Sequence, residues 1–340
     1  MIKEIKHPKA LIQIKDLAEG TKLIRINPID NNLFIPKKSC KTKYSLPLIE
    51  EILRIKGPAY LCDEILREED EEYVAGPLIQ LLKTIPKVNF KGKTILDFGC
   101  GSGASTIILA RRYPESSIVG LDLNKNLLNI AQRRADFYNL KNIQLICSKK
   151  KRSLPLNIPK YHFAVCNAVI EHLLPSERKV LIENIWDKLD TYGILFISKT
   201  PNRLSPIENH TTTLPFINYM PDKIAHYMAN SFSKNFNSYQ SWENLLKLGI
   251  RGSTIKEIFE ILDEKDLFIP ILIKSSNFNR NSSKQNYQMI MNLWSQSYGR
   301  SIIGNMYALT YAFMYPLFNR LTFNLFQLSL SLAIMKKEKL

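Results

Sequence analysis

Short apolar runs alternate with amphipathic segments through the middle of the chain. The apolar runs have the length of strands, and the segments between them place apolar side chains at the three- and four-residue spacing of a helix. The predicted strands are Thr94–Phe98, Ser117–Leu121, Ile143–Cys147, His162–Asn167 and Gly193–Lys199, and the predicted helices are Ser105–Arg112, Asn126–Leu140 and Ser176–Leu189. Strands separated by such helices form parallel βαβ units with right-handed crossovers and helices on both faces. The pattern predicts an α/β, doubly wound fold.

The regions on either side of this core have other patterns. Residues 1–45 are mixed and interrupted by prolines, and residues 48–82 are helical in pattern. A long polar segment after Pro201 precedes helical patterns at Asp222–Ser231, Gln240–Leu248 and Thr254–Leu262 and a strand at Leu267–Ile273. We predict an N-terminal extension over 1–89, the α/β core over 90–205, further helices with an insertion and a sixth strand over 206–325, and a closing strand and tail over 326–340.

The C-terminal stretch is almost free of charge. Between Ser301 and Met335 the only charged residue is Arg320, and Pro316 with the amides that follow it divides the stretch into two pieces. Because about 20 continuous apolar residues are needed to span a bilayer, we predict a helix at 302–318 and a closing strand at 328–336. The helix either packs in the core or lies in a membrane interface as a peripheral contact.

The N-terminal segment and the cysteine content indicate in which compartment the protein is expected. The N-terminal segment carries lysines throughout and lacks the apolar run of a secretory signal. Five cysteines without a CxxC pair indicate a reduced, intracellular chain with no zinc site. We therefore expect a cytoplasmic protein, with the inner face of the membrane as an alternative location.

The net charge is strongly positive. The chain has 47 Lys and Arg residues against 31 Asp and Glu residues, a formal charge of +16. A basic surface could follow phosphates, but abundant Lys, Ile and Asn together are also typical of an AT-rich genome. Since no nucleic-acid-binding signature accompanies the charge, we do not predict a nucleic-acid partner.

A glycine-rich turn follows the first predicted strand and leads directly into a helix. It reads Asp97-Phe98-Gly99-Cys100-Gly101-Ser102-Gly103. Glycines permit positive φ and close approach of a ligand to the backbone, and the helix that follows offers free N–H groups. Asp122 ends the second strand, where a carboxylate can accept hydrogen bonds from the ribose hydroxyls of an adenosine cofactor. The alternative is that Asp122 caps the next helix.

The spacing of the turn resembles one superfamily. G-x-G-x-G with Asp97 ahead of it is similar to motif I of class I S-adenosyl-L-methionine-dependent methyltransferases, and three later segments resemble their motifs in order: GLDLN at 120–124, VCNAVIEHL at 165–173 and LDTYGILFISKTPNRL at 189–204. The resemblance covers about residues 90–205. Within the superfamily, the IEHL and TPN segments resemble the ubiquinone-biosynthesis O-methyltransferases and the methyltransferases of surface-polysaccharide assembly.

The resemblance implies a Rossmann-like, seven-stranded, mostly parallel sheet with an antiparallel last strand, and S-adenosylmethionine as cofactor. The cofactor-binding residues that it implies are Asp97, Gly99, Cys100, Gly101, Gly103, Asp122, Leu123, Ser148 and Asn167. Ser148 is a departure, because many relatives carry an acid there that meets the adenine amino group, and a hydroxyl accepts a weaker hydrogen bond than a carboxylate.

Candidate reacting groups follow the fourth and fifth strands. They are Glu171 and His172 after the fourth strand, and Glu208 and His210 in the loop after the fifth. Histidine titrates near neutrality and suits proton removal from a hydroxyl acceptor. Some RNA and quinone methyltransferases bind a metal through an E-x-x-E-H motif and a later histidine. Here Ala168 replaces the first glutamate, so we predict no metal but keep Glu171, His172 and His210 as the alternative ligand set.

These features predict a methyltransferase of the EC 2.1.1 class that acts on oxygen of a small molecule or of a glycan or lipid-linked precursor. We expect the N-terminal region and the segments 200–250 and 275–325 to select the acceptor. An RNA methyltransferase and a non-catalytic, methyltransferase-like binding partner are the alternatives, and the sequence leaves the oligomeric state open.

Overall fold

Four antiparallel strands begin the chain in the computed structural model. They are β1 (Ile2–His7), β2 (Ala10–Asp16), β3 (Lys22–Pro28) and β4 (Ser39–Thr42), and they pair in sequence order. In β2 and β3 isoleucines alternate with polar residues, so that Ile12 and Ile24 are buried while Lys15 and Arg25 are exposed. This one-sided pattern is that of a sheet with one face on a core and one in solvent. The sheet was not predicted from the mixed sequence of this segment.

The structure describes residues 2–29, 33, 35–85, 88–148, 154–155, 158–233, 235–236, 238–263, 268–275 and 329–339. The predicted helix at 302–318, and with it the predicted membrane contact, lies outside these residues. Among the helices of the described ranges, none has both the length and the apolar character required to cross a bilayer.

Two helices connect the first sheet to the predicted core. Helix α1 (Leu46–Glu69) is kinked at Gly57, where φ is 74°, and Pro58 follows the kink. Ile49 and Ile52 of this helix share one buried apolar cluster with Ile12 and Ile24 of the sheet. Helix α2 (Gly76–Thr84) follows.

The predicted βαβ units come next. Strand β5 (Thr94–Phe98), helix α3 (Ala104–Arg112), strand β6 (Ser117–Asp122), helix α4 (Lys125–Phe137), strand β7 (Ile143–Cys147) and strand β8 (Tyr161–Asn167) succeed one another. β5 pairs in parallel with both β6 and β8, and β6 pairs in parallel with β7. The carboxyl ends of all four strands therefore lie at one edge.

The remaining elements are α5 (Pro175–Lys188), β9 (Leu189–Pro201), α6 (Asp222–Phe232), α7 (Trp242–Lys247), α8 (Ile255–Asp263), β10 (Phe268–Ser275) and β11 (Ser329–Glu338). β11 pairs antiparallel with both β9 and β10. The seven strands have the order β10-β11-β9-β8-β5-β6-β7. The predicted α/β class, with a seven-stranded, mostly parallel sheet and an antiparallel last strand, is confirmed.

The chain divides into two compact units. Residues 1–80 with 86–167 form the first, and residues 81–85 with 168–340 form the second. The first unit holds the antiparallel sheet, α1 and the strands β5 to β8, and the second holds the elements from α5 onward together with the short segment 81–85.

Candidate functional site

The glycine-rich turn between β5 and α3 is fixed by backbone contacts. Gly99, Gly101 and Gly103 have φ values of 69°, 55° and 84°, in the left-handed region that favours glycine. The N–H groups of Gly99 and Cys100 donate to the carbonyl oxygen of Leu121 at 2.8 and 3.0 Å. The turn is thereby attached to the end of β6, the strand that carries Asp122.

Two of these glycines have different surroundings. A Cβ atom on Gly103 would lie 2.6 Å from the Cβ of Ala131, so Gly103 is required for the packing of α4 against the turn. A Cβ atom on Gly101 would meet nothing within 4 Å. The space next to Gly101 is therefore open, which is required if a ligand is to lie over this residue.

Asp97 lies beneath the turn and is buried. The hydroxyls of Ser105 and Thr106 donate to its Oδ2 at 2.7 and 2.6 Å, so this oxygen holds the first turn of α3. Burial raises the pKa of Asp97 to about 6, although the two hydroxyl donors oppose the shift. The contact between Asp97 and a cofactor remains a prediction.

Asp122 connects the turn to the start of α4. Its Oδ2 accepts a hydrogen bond from the N–H of Gly101 at 2.8 Å, and its Oδ1 accepts one from the N–H of Asn124 at 2.8 Å. Asn124, not Asp122, caps α4, because its side chain accepts from the N–H groups of Asn126 and Leu127. Each carboxylate oxygen of Asp122 can accept a further hydrogen bond, as the predicted ribose contact requires.

The other predicted cofactor residues lie at the ends of neighbouring strands in the first unit. Leu123 follows Asp122 and is half exposed. Ser148 follows β7, is buried, and its N–H donates to the carbonyl oxygen of Asp122 at 2.8 Å. Asn167 ends β8 and is partly buried, and Cys100 is buried within the turn. The structure thus brings the predicted set to one edge of the parallel strands.

A second cluster, in the second unit, contains Glu171, His172 and His210. Residues Ile170–His172 form a 3₁₀ turn after β8, and His210 lies in the loop after β9. The two imidazole rings are 5.6 Å apart between centroids, and the Nε2 atom of His172 lies 3.9 Å from the Oε1 atom of Glu171. Of the four predicted reacting groups, the structure brings these three together.

Backbone carbonyls fix both imidazoles. The Nδ1 atoms of His172 and His210 lie 2.8 and 3.0 Å from the carbonyl oxygens of Lys247 and Leu248. Because a carbonyl only accepts, we assign the ring proton to Nδ1 in both residues, which leaves the lone pair on Nε2 when the ring is neutral. Burial lowers the pKa of both imidazoles and so favours this neutral form.

Glu171 is the buried member of the cluster. Its Oε2 accepts from the hydroxyl of Thr200 at 3.3 Å, whereas its Oε1 has no hydrogen-bond partner among the described residues. Burial raises the pKa of Glu171 to about 7. A buried oxygen without a protein partner is uncommon, and a water, a proton or a bound group would each account for it.

The cluster could also hold a metal ion. One ligand atom from each of Glu171, His172 and His210 lies within 4.8 Å of the others. Two imidazoles with one carboxylate are a common ligand set for first-row divalent metals. Ligating histidines usually donate their other ring N–H to a backbone carbonyl or carboxylate, as both histidines do here. The residues present therefore fit a divalent cation, and they are the set that the sequence analysis kept as the alternative to a site without metal.

Two further residues organise this cluster. Glu208 is buried and its carboxylate accepts hydrogen bonds from the backbone N–H groups of His210, Thr211 and Thr212, so it shapes the loop. Gly249 was missed by the sequence analysis, although a glycine just after a predicted helix is a typical C-terminal signal. Its φ is 99°, and a Cβ atom there would lie 2.7 Å from Nδ1 of His210. Gly249 makes room for His210.

Comparisons with known proteins place residues 95–193 in a family described as "Methyltransferase domain". A tRNA (guanine-N(7)-)-methyltransferase of Rubrobacter xylanophilus is 45% identical over 64 residues, 19% of this chain and 29% of the relative. A trans-aconitate 2-methyltransferase of Afipia carboxidovorans is 39% identical over 72 residues, 21% of this chain and 27% of the relative. The chain thus matches less than a third of either relative's length.

Among solved structures, the YcgJ protein from Bacillus subtilis is 13% identical, with a TM-score of 0.42 over 77% of this chain and 96% of that one. The matched segment 95–193 contains the glycine-rich turn, Asp122, Ser148, Asn167 and the first two members of the second cluster. The resemblance to the ubiquinone-biosynthesis type remains a prediction. Residues 95–193 therefore match a methyltransferase domain, in agreement with the predicted resemblance to the class I S-adenosylmethionine-dependent methyltransferases.

Proposed function

We propose that the protein transfers the methyl group of S-adenosylmethionine to an oxygen atom of a small molecule or of a glycan or lipid-linked precursor. The observation that carries the proposal is the pairing of the open glycine Gly101 with Asp122, inside the segment that matches the methyltransferase family. Asp122 would accept hydrogen bonds from the ribose hydroxyls, and the turn would lie beneath the cofactor. Ser148 and Asn167 would add polar contacts from the neighbouring strands.

The chemistry requires orientation and removal of one proton. An oxygen lone pair of the acceptor forms the new O–C bond as the C–S bond of the sulfonium breaks, and the bonding electrons return to sulfur as S-adenosylhomocysteine leaves. The acceptor proton passes to a base, for which the neutral Nε2 atoms of His172 and His210 are suited. Ligands of open α/β sheets bind outside the carboxyl ends of strands, and both histidines follow such ends.

RNA is the rival acceptor. The net charge of +16 favours it, and the relatives include a tRNA methyltransferase and a U6 snRNA methylphosphate capping enzyme. A trans-aconitate methyltransferase among the same relatives acts on a small molecule, which supports the proposal equally. The short matches do not favour one acceptor class, so the experiment has to include both.

The first measurement is titration calorimetry of the purified protein with S-adenosylmethionine and, separately, with NAD. Binding of the former alone is expected. The protein is then incubated with methyl-labelled S-adenosylmethionine and three acceptor pools: polar metabolites, lipid-linked precursors and total RNA. Label in either of the first two pools supports the proposal, and label in RNA alone overturns it. Binding of neither cofactor would make the protein a non-catalytic partner.

A second role for the Glu171, His172 and His210 cluster is binding of a divalent cation, which would acidify a bound acceptor hydroxyl. The short distances among the three ligand atoms and the unpartnered Oε1 of Glu171 favour it. Equilibrium dialysis with Mg²⁺, Mn²⁺ and Zn²⁺ tests this role. His210→Ala is expected to abolish uptake, and His226→Ala, a histidine of the same unit outside the cluster, should leave uptake unchanged. Absence of uptake by the unaltered protein leaves the histidines as bases alone.

A further inference from the structure

Two buried charged side chains hold the middle of the glycine-rich turn. Arg134 of α4 and Glu64 of α1 are almost completely buried and form an ion pair, with Nη2 of Arg134 3.2 Å from Oε1 of Glu64. Both also contact Ser102, which lies between the open Gly101 and the packed Gly103. Nη1 of Arg134 donates to the carbonyl oxygen of Ser102 at 2.9 Å, and the hydroxyl of Ser102 donates to Glu64.

These contacts complete the anchoring of the turn. The Cys100–Gly101 peptide is fixed through the N–H of Gly101, which donates to Asp122. The Ser102–Gly103 peptide is fixed at both ends, because its carbonyl accepts from Arg134 and its N–H donates to the carbonyl oxygen of Cys100 at 2.9 Å. Without Arg134 the latter peptide would be held at one end only. A turn with three glycines has more conformational freedom than the same turn built from other residues, so such anchors decide its conformation.

Glu64 keeps its negative charge over a wide range of pH. Lys56, beside the kink of α1, lies 3.1 Å from Oε2 of Glu64 and forms a second ion pair. Burial alone would raise the pKa of Glu64, but Arg134, Lys56 and the Ser102 hydroxyl hold it at about 2. Glu64 is therefore ionised throughout the pH range of an enzyme assay. An ion pair without solvent access is costly to form, and replacing it by apolar side chains is often neutral or stabilising. A contribution to the overall stability of the fold is therefore a poor explanation for the buried ion pair of Glu64 and Arg134.

We propose that Glu64 and Arg134 are positioning residues of the cofactor-binding turn, acting through Ser102. The inference rests on the proposed function and extends it, since it makes α1, and with it the N-terminal extension, a part of the cofactor site. The extension would then have a role besides the predicted selection of the acceptor. Because both side chains are almost completely buried, we expect neither to touch the cofactor.

Ser102→Ala is the main test, because it removes the hydroxyl contact and leaves the ion pair intact. Dissociation constants for S-adenosylhomocysteine are measured by titration calorimetry. Loss of one hydrogen bond is expected to weaken binding about three- to tenfold. Ser116→Ala is the matched control: Ser116 is also buried, and its hydroxyl donates to the carbonyl oxygen of Phe90 away from the turn. It should bind as the unaltered protein does.

Glu64→Gln is the second variant and removes the charge. We expect it to weaken binding more than tenfold, and to raise KM for S-adenosylmethionine while kcat at saturation stays unchanged. Its control is Glu68→Gln on the same helix. Glu68 is equally buried and accepts from Tyr138 and Arg111 but not from the turn. The control should lower the unfolding temperature without changing the affinity for S-adenosylhomocysteine.

The outcomes separate the two proposals. An unaltered protein that binds no S-adenosylhomocysteine overturns the proposed function. If the unaltered protein binds and neither Ser102→Ala nor Glu64→Gln weakens binding, the positioning role is wrong. If Glu68→Gln weakens binding as much as Glu64→Gln, the effect is general destabilisation and the positioning role is again wrong. Should Glu64→Gln fail to fold, Ser102→Ala and its control decide.

Discussion

Asp122 uses each carboxylate oxygen once within the protein, and each is free to accept a second hydrogen bond. Asp122→Asn keeps one acceptor oxygen, so we expect S-adenosylhomocysteine to bind about tenfold more weakly. Asp122→Ala loses both acceptors, and about a hundredfold loss follows from hydrogen bonds to a charged group. Asn124→Ala is the control, since it removes only the cap of α4 and should lower stability alone. Unchanged cofactor affinity in Asp122→Ala would contradict the predicted ribose contact.

Asp97 makes stability depend on pH in the direction opposite to most carboxylates. Its folded-state pKa of about 6 lies above the ordinary 3.8, so the folded protein retains a proton that the unfolded chain has lost. The contribution of Asp97 to stability is complete below pH 3.8 and is lost as the pH rises to about 6, by about 3 kcal/mol.

Asp97→Asn cannot titrate and should lack this dependence. In urea unfolding at several pH values, the free energy of unfolding of the variant minus that of the unaltered protein should increase between pH 4 and 6 and then level off. Other titrating groups cancel in this difference. A difference that stays constant across the range would show that Asp97 has an ordinary pKa.

At the scale of elements, two glycines of the turn have different roles. Gly103 is required for packing, and Gly101 leaves space for a ligand to approach. Gly103→Ala forces a Cβ atom against Ala131 at positive φ, and we expect a loss of about 1–3 kcal/mol in unfolding free energy because α4 must shift. Gly101→Ala adds its Cβ atom into open space and should cost only about 1–2 kcal/mol of backbone strain while weakening cofactor binding strongly. Urea unfolding and cofactor titration of both variants measure the contrast. Equal cofactor affinity in Gly101→Ala and the unaltered protein would contradict it.

The elements that the sequence predicted well are those determined by local pattern. Strands Thr94–Phe98 and Ile143–Cys147 were predicted with the bounds that the structure shows. The first four strands were missed, although isoleucines alternate with polar residues in β2 and β3, because prolines and short length obscured a pattern that antiparallel pairing completes.

The residues of the candidate site also fall into those that the local sequence predicted and those that it did not. The turn and Asp122 could be predicted because strand, turn and helix are adjacent in sequence. Glu64 could not, since it contacts Arg134 across 70 residues and nothing in its own segment marks it. Gly249 carried a local signal as the glycine after a predicted helix, but its contact with His210 exists only in the folded loop.

At the scale of the whole molecule, the net charge of +16 does not by itself distinguish an RNA acceptor from a small acceptor. Measurements at several salt concentrations can make that distinction. A protein that neutralises several phosphates loses about 10³-fold or more in RNA affinity between 50 and 200 mM salt. The reason is that releasing counterions from the RNA becomes less favourable as the salt concentration rises. Binding of a small acceptor through neutral histidines and hydrogen bonds has no such dependence. We therefore expect RNA binding to disappear over this range while methyl transfer to the small-molecule or lipid-linked pool changes less than about twofold.

The measurement is methyl transfer to each acceptor pool at 50, 100, 150 and 200 mM salt, with cofactor affinity followed in parallel by calorimetry. Cofactor affinity is the internal control, since loss of cofactor would lower transfer to every acceptor alike. If transfer to the small acceptor falls as steeply as RNA binding, the acceptor carries several negative charges that a basic surface neutralises. If transfer occurs only with RNA and persists at 200 mM salt, the basic surface serves a specific RNA substrate, and the histidine cluster acts on a ribose or base oxygen.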